Sequence, residues 1–303
     1  MNMFRVLVLF AFSLCVSSPD FAAATSQRPL RIAVLDFGKS STGHLVADQL
    51  AHIFPAEHRD GPAYHVMDRD QARAAALGAG YQGSLNMSLP EARDLASAIG
   101  CDFFFIGDAQ TLRRSPSEGP AYFESYAAIY LVSGRTGKLI SWERALARGA
   151  GSDEAERTLF QELAASVFPR YQNIIRRAQA EESAERTSAI ENTLPIIEVM
   201  SDEETDENRD VRAPRPYRRL KPPYPETAAR AEVEATVDAL IDIDARGEVG
   251  RVEIVRWAGY GLDQSVVDTV KQLHFFPAMR EGKAIPMRVL LRYNFRKPPK
   301  PNH

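Results

Sequence analysis

Val233-Glu-Ala-Thr-Val-Asp-Ala-Leu-Ile-Asp-Ile243 alternates along its whole length. The odd positions are Val233, Ala235, Val237, Ala239, Ile241 and Ile243; the even ones are Glu234, Thr236, Asp238, Leu240 and Asp242. A period of two describes a strand with one face on a core and the other toward water. Asp244-Ala-Arg-Gly247 supplies a turn, and Val249 to Val255 reads as the return strand. Leu262, Val266, Val270 and Leu273 then recur at helical spacing, with Asp263 favourable in the first turn. A last strand repeats the alternation, with Met287, Val289, Leu291, Tyr293 and Phe295 inward and Arg288, Arg292, Asn294 and Arg296 outward. Ahead of all this stands the proline-stiffened lead-in Lys221-Pro-Pro-Tyr-Pro225. Together these signals predict a small α+β domain over residues 214–298 that presents a strand border rather than a catalytic cleft.

Working outward, residues 29–178 alternate strand and helix signals. Leu30 to Phe37 is a nearly continuous apolar run, as expected of a strand buried on both faces. Ser88 stands as a helix cap before Pro90 and Glu91, and Gly100 closes that helix ahead of the buried strand Cys101 to Gly107. Tyr122 to Val132 and Lys138 to Ala147 flank Ser133-Gly-Arg-Thr-Gly137 as a β-hairpin. A helix over Ser152 to Ala178 is expected to kink at Pro169. The fold class is therefore two-domain α+β. It joins an N-terminal α/β sandwich with a mixed sheet to a small C-terminal α+β domain with an antiparallel sheet. Between them, residues 179–213 crowd acids together, above all in Ser201 to Asp210, and read as a flexible acidic linker. Within it, Leu194 to Met200 is apolar enough to dock as a short strand.

The 303 residues carry a net charge of −3 with 45% hydrophobic and 25% charged side chains, which calls for neither nucleic acid nor a membrane surface. Residues 1–24 have a basic start, the apolar run Val6 to Val16 and small residues up to Ala24, the pattern of a secretory signal peptide. As a helix that run is about 16 Å long, too short to span the roughly 30 Å of a bilayer core. Export to the periplasm is the expectation, with membrane association only if this segment stays uncleaved. Cys101 is then the one remaining cysteine, so no internal disulfide forms, and it reads as a buried thiol.

Catalytic signals are absent from the pattern. Gly38-Lys-Ser40 follows a strand as in a phosphate loop, but the first glycine of that loop would fall at Ala33. His44 and His52 lie about 12 Å apart along one helix, too far to share an ion, and His58 and His65 add no ligand spacing. Asp36, at a strand end, is the one acid set apart. The sequence thus implies no enzyme, no metal and no cofactor.

Pro223-Tyr-Pro225, Ala228-Ala-Arg230, Ile243-Asp-Ala-Arg-Gly-Glu-Val249, Leu262-Asp263, Phe276-Pro-Ala278 and Gly282-Lys-Ala-Ile-Pro286 occur in an order and spacing that resembles the C-terminal domain of TonB, the energy transducer of bacterial envelopes. The resemblance spans about 85 residues. It implies a small sheet whose last strand pairs with an extended peptide of an outer-membrane receptor. On that reading Met287, Arg288, Val289, Leu291, Arg292 and Tyr293 form the docking strand, and Lys221, Pro223, Tyr224 and Pro225 flank the incoming peptide. The outward arginines would favour acidic partners. Other envelope proteins and peptidoglycan are further partners of this type, and nucleic acid is not. Two positions depart from the pattern: Val233 to Thr236 lacks the usual glycine, and Trp257 replaces a small polar residue. A transducer's membrane helix and long proline-rich spacer have no counterpart in the sequence, so the resemblance carries peptide or cell-wall binding rather than force transduction. An envelope scaffold without energy coupling is the alternative. The front half resembles TolB-like and curli-assembly-type envelope α/β domains through Ile32 to Phe37, Val66-Met-Asp-Arg69, Ala98 to Asp102 and Thr136-Gly-Lys138.

Overall fold

A computed structural model describes residues 28–54, 63–116, 118–191, 198–199 and 211–297. The signal-peptide residues 1–24, His58 and the whole acidic stretch 200–210 lie outside the described residues.

The front half is built on one mixed sheet. Its strands are β1 (Leu30–Val34), β2 (Tyr64–Val66), β4 (Phe103–Arg114), β5 (Tyr122–Ser133) and β6 (Leu139–Gly149), and a two-residue strand β3 (Met87–Ser88) stands apart from it. The order is β2-β1-β4-β5-β6, parallel on either side of β1 and antiparallel from β4 to β6. The apolar run of β1 is buried on both faces, as its composition requires. On β4 the alternation splits the aromatic side chains between two cores, Phe103 and Phe105 on one side and Phe104 and Ile106 on the other. Helix α1 (Ser41–His52), α4 (Ser152–Glu162) and α5 (Tyr171–Glu191) supply the first core through residues such as Val46, Leu159 and Ile175. Helices α2 (Arg69–Gly78) and α3 (Leu89–Ile99) cover part of the second face.

The strand expected over Cys101 to Gly107 runs on to Arg114, because each further residue finds an antiparallel partner on β5. Ser88 caps α3 as expected, and with Glu91 it forms both halves of a capping box. The kink expected at Pro169 is a π-helical turn, Leu163–Val167, followed by a 3-10 turn, Phe168–Arg170.

Residues 179–191, expected to open a flexible linker, instead continue α5 to Glu191. Glu182 fixes this stretch by accepting from Ser133 and Arg135, and Glu185 receives Lys138. Past it, β7 (Glu198–Val199), β8 (Val211–Arg212) and β9 (Arg215–Pro216) each join a C-terminal strand.

The C-terminal half consists of α6 (Glu226–Ala231), β10 (Ala235–Ile243), β11 (Val249–Trp257), α7 (Leu262–Val270), β12 (Phe275–Phe276), β13 (Ala278–Arg280), β14 (Lys283–Ile285) and β15 (Met287–Phe295). Strands β10, β11 and β15 form an antiparallel core sheet, with β10 central. Val237, Ala239, Ile241 and Ile243 turn inward onto Leu262, Val266 and Val270 of α7, as the two periodicities require.

The two halves share one hydrophobic core. The second face of the front sheet, with Phe104, Ala128 and Tyr130, packs together with Trp257, Ala258 and Tyr260 of the C-terminal half.

Candidate functional site

β15 is paired over all nine residues with β10 on its inner side, from Met287 opposite Ile243 to Phe295 opposite Ala235. Its outer side meets β7 in parallel, with Arg288 opposite Glu198 and Val289 opposite Val199. Beyond Val289, no strand lies against that border among the described residues. The chain's own backbone thus covers the start of the expected docking strand, and none of the described residues pairs with the rest of that border.

The side chains expected to greet a partner are engaged within the domain. Arg288 binds Asp242 through two contacts of 2.5 and 2.8 Å, and Arg292 binds Asp238 through two of 2.8 and 3.0 Å. Each pair stands directly opposite across β10 and β15, the geometry in which opposite charges support a sheet. Hydrogen bonds from Arg288 hold the Asp242 carboxyl below its ordinary range. Arg256 adds a second guanidinium 3.6 Å from the buried Asp238. The acid-seeking role expected of Arg288 and Arg292 is therefore met inside the sheet. Val289, Leu291 and Tyr293 lean onto the core as half-buried residues, and Met287 is buried.

The lead-in is likewise pinned. Ser265 donates to the Pro223 carbonyl at 2.6 Å, and Tyr224 donates its hydroxyl to the Val233 carbonyl at 2.5 Å. The Tyr224 ring lies 6.2 Å from that of Phe295, and Pro225 caps α6. Pro223 and Tyr224 fasten the lead-in to α7 and to the end of β15, while Lys221 projects into solvent.

The far end of the opposite border of the sheet is covered by the front half. Ser88 pairs with Arg256 and Met87 with Trp257, so β3 extends the sheet to β3-β11-β10-β15-β7. Asn86 donates to the carbonyls of Thr236 and Trp257, at 2.8 and 2.6 Å, and accepts from the Thr236 N–H. Trp257 donates its indole N–H to the Gly137 carbonyl at 3.0 Å. Gly137 has φ +74°, and a Cβ there would fall 2.2 Å from the Leu89 carbonyl oxygen, so only glycine fits the turn. Tyr130 donates to the Ala258 carbonyl at 3.0 Å, and its ring packs against Trp257 and Tyr260 at 5.9 and 6.4 Å. These residues escaped the sequence reading. The one signal for them was Trp257 itself, a large ring where the pattern has a small polar residue.

The remaining expectations concern the front half. Asp36 is held by Arg73 at 3.2 Å and Arg69 at 3.6 Å, at the mouth of a cavity of about 450 Å³ that Lys39, Asp108 and Tyr260 also line. Cys101 is a buried free thiol, pushed up to about 12 by burial. Among the described residues, no three of His, Cys, Asp and Glu stand together so as to hold a metal ion.

Residues 221–296 match the family model described as Gram-negative bacterial TonB protein C-terminal. This segment is a TonB-type C-terminal domain. Among solved structures, the C-terminal domain of Pseudomonas aeruginosa TonB is similar at 20% identity and a TM-score of 0.25, covering 31% of this chain and 92% of that one. Lipoprotein GNA1162 from Neisseria meningitidis is similar at 15% identity and a TM-score of 0.31, with coverage of 48% and 99%. The hypothetical protein CT253 from Chlamydia trachomatis is similar at 11% identity and a TM-score of 0.31, with coverage of 46% and 96%. No curated protein matches the chain. The TonB-type domain marks an envelope protein. Among the described residues no helix is long and apolar enough to cross a membrane.

Proposed function

We propose that this chain is a periplasmic protein of the TonB family that takes up an extended partner segment as an added strand on the outer border of β15, in the service of TonB-dependent transport at the outer membrane. One observation carries the reading. Met287 to Phe295 is satisfied along its inner side by β10, yet past Val289 its outer side offers main-chain N–H and C=O groups to no strand among the described residues. Such a border binds through backbone hydrogen bonds, with modest demands on the partner's sequence. The inward lean of Leu291 and Tyr293 leaves the border to be read chiefly through its backbone. No enzymatic role enters this reading.

The test is calorimetric titration of the intact chain with peptides from the periplasmic extensions of outer-membrane receptors. Binding should weaken when alternate peptide nitrogens are N-methylated, which blocks the added ladder. Absence of binding at the highest soluble peptide concentration would sink the proposal.

A second reading, an envelope scaffold without energy coupling, draws support from the mounting of the domain. Hydrogen bonds from Asn86, Tyr130 and Trp257 join the TonB-type domain to the front half, which supports a fixed mounting. Receptor-dependent uptake measured in a deletion strain separates the two: unchanged uptake favours the scaffold.

A further inference from the structure

Many arginines of this chain are spoken for by carboxylates, as Arg73, Arg114, Arg148 and Arg256 show. One surface is different. Arg212, Arg215, Arg218, Arg219, Arg280 and Lys283 are all exposed, and none makes an ion pair with a described residue. Strand register sets Arg215 opposite Phe276, with Tyr217 two residues on along the same side; Arg280 stands opposite Lys283, on the face of its ribbon away from Arg212, which stands opposite Met279. No acid occurs between Val211 and Pro225 to neutralise the run. On the adjoining turns, Glu248 is already engaged by His274, and Glu281 is the exposed acid between Arg280 and Lys283.

Amid these cations sits an aromatic pair. Tyr217 and Phe276 stack with centroids 4.3 Å apart, yet each is 59% exposed. The Tyr217 N–H donates to the His274 carbonyl at 2.8 Å, so the ring is presented by fixed backbone rather than by a loose loop. Two large rings held in water beside unpaired guanidinium groups form a surface that is incomplete without a partner.

We infer that this face docks on an anionic phospholipid leaflet, with the cations on headgroup phosphates and the Tyr217–Phe276 pair at the boundary between headgroups and acyl chains. Rings of this kind favour that boundary, and each cation near an anionic leaflet adds to the attraction. An acidic peptide would use the cations and leave the rings in water. The other anionic candidate is the chain's own Asp202 to Asp210, which lies outside the described residues and leads directly into Val211. The inference is independent of the β15 border.

The experiment is co-sedimentation of the full chain with vesicles of phosphatidylcholine mixed with phosphatidylglycerol, against phosphatidylcholine alone. The intact chain should sediment with the mixed vesicles only, and less as salt rises. Reversing three cations together (R215E, R218E and R219E) should cut partitioning by at least about a hundredfold. Y217S with F276S should reduce it at unchanged net charge, with circular dichroism showing that the fold persists. Should that pair fail to fold, hydrogen exchange of the unaltered chain decides. New protection at 212–219 and 275–280 on adding mixed vesicles supports the inference, and protection elsewhere overturns it. It is also overturned by absence of binding, by binding indifferent to the two rings, by tighter binding to a single-stranded oligonucleotide, or by binding that emerges only when the acids of 202–210 are neutralised.

Discussion

Trp257 of the last long β-hairpin gives its indole N–H to the carbonyl of Gly137, 120 positions earlier in the chain, and both groups are buried. A tryptophan buried on a strand end needs a partner for that N–H, and here the partner belongs to the other half of the molecule. W257F keeps most of the ring and strands the Gly137 carbonyl, so it should cost about 1–3 kcal/mol. W257A should cost about 3–5 kcal/mol through the cavity it leaves. Urea unfolding followed by fluorescence and by circular dichroism checks both. The shared core predicts one coincident transition for the unaltered chain and two for W257A.

Asn86 makes a separate contribution to the same contact. Its amide bridges the backbone of β10 and β11 through three hydrogen bonds, which no hydrophobic replacement reproduces. N86A should destabilise the chain by about 1–3 kcal/mol, because the carbonyls of Thr236 and Trp257 lose their donor in a partly buried site. Denaturant midpoints give the readout, and N86D should not restore stability, since a carboxylate cannot donate to either carbonyl.

The C-terminal architecture was legible because its signals are local. The alternation of Val233 to Ile243, the spacing of Leu262, Val266 and Val270, and the glycine-bearing turns each fix their own element. The mixed front sheet was legible for the same reason. What escaped were relations between distant segments. Met87 and Ser88 are too few to announce a strand, and they become one only because β11 offers its border. The helical course of residues 179–191 was masked by their acidity, which in isolation reads as linker. Glu182 and Glu185 find Ser133, Arg135 and Lys138 only once the front sheet has folded. β15 was visible as a strand, but the sequence could not show that its arginines face Asp238 and Asp242.

Arg292 and Arg256 converge on Asp238, whose side chain is 7% exposed. D238A would leave Arg292 without its acceptor, while Arg256 keeps Glu91 and the Asn86 carbonyl. Arg292 is largely exposed and regains water, so the expected loss is about 1–3 kcal/mol rather than the larger figure for a fully buried pair. D238A combined with R292A should lose less than the sum of the two single variants. A double-mutant cycle in urea measures that coupling.

The chain should also carry a pH dependence from Asp263. Its carboxyl accepts the Ala258 and Gly259 N–H groups at 2.9 and 2.8 Å, yet burial outweighs them and pushes it up to about 6 from 3.8. The folded state therefore binds the proton more tightly than the unfolded state. The associated stability is fully present below about pH 4 and is lost as pH rises through about 6, a difference of about 3 kcal/mol. Subtracting the urea midpoints of D263N from those of the unaltered chain, between pH 4 and pH 7, isolates this slope. A flat difference curve would refute it.

β7 makes a prediction of its own about the border of β15. Glu198 and Val199 occupy the ladder beside Arg288 and Val289, so a partner strand that runs the full border must displace them. Among the described residues their hold is confined to these two, and each backbone hydrogen bond contributes about 0.5–1.5 kcal/mol net. Proline at both positions, E198P with V199P, removes whichever N–H faces β15 and disfavours the pairing without touching β15. The double variant should bind a strand-adding peptide about tenfold more tightly, with unchanged global stability, since ladder bonds of that size set the cost of displacement. Titration calorimetry beside urea unfolding reads both quantities. Equal affinities for the two proteins would mean that a partner pairs only past Val289, leaving β7 in place.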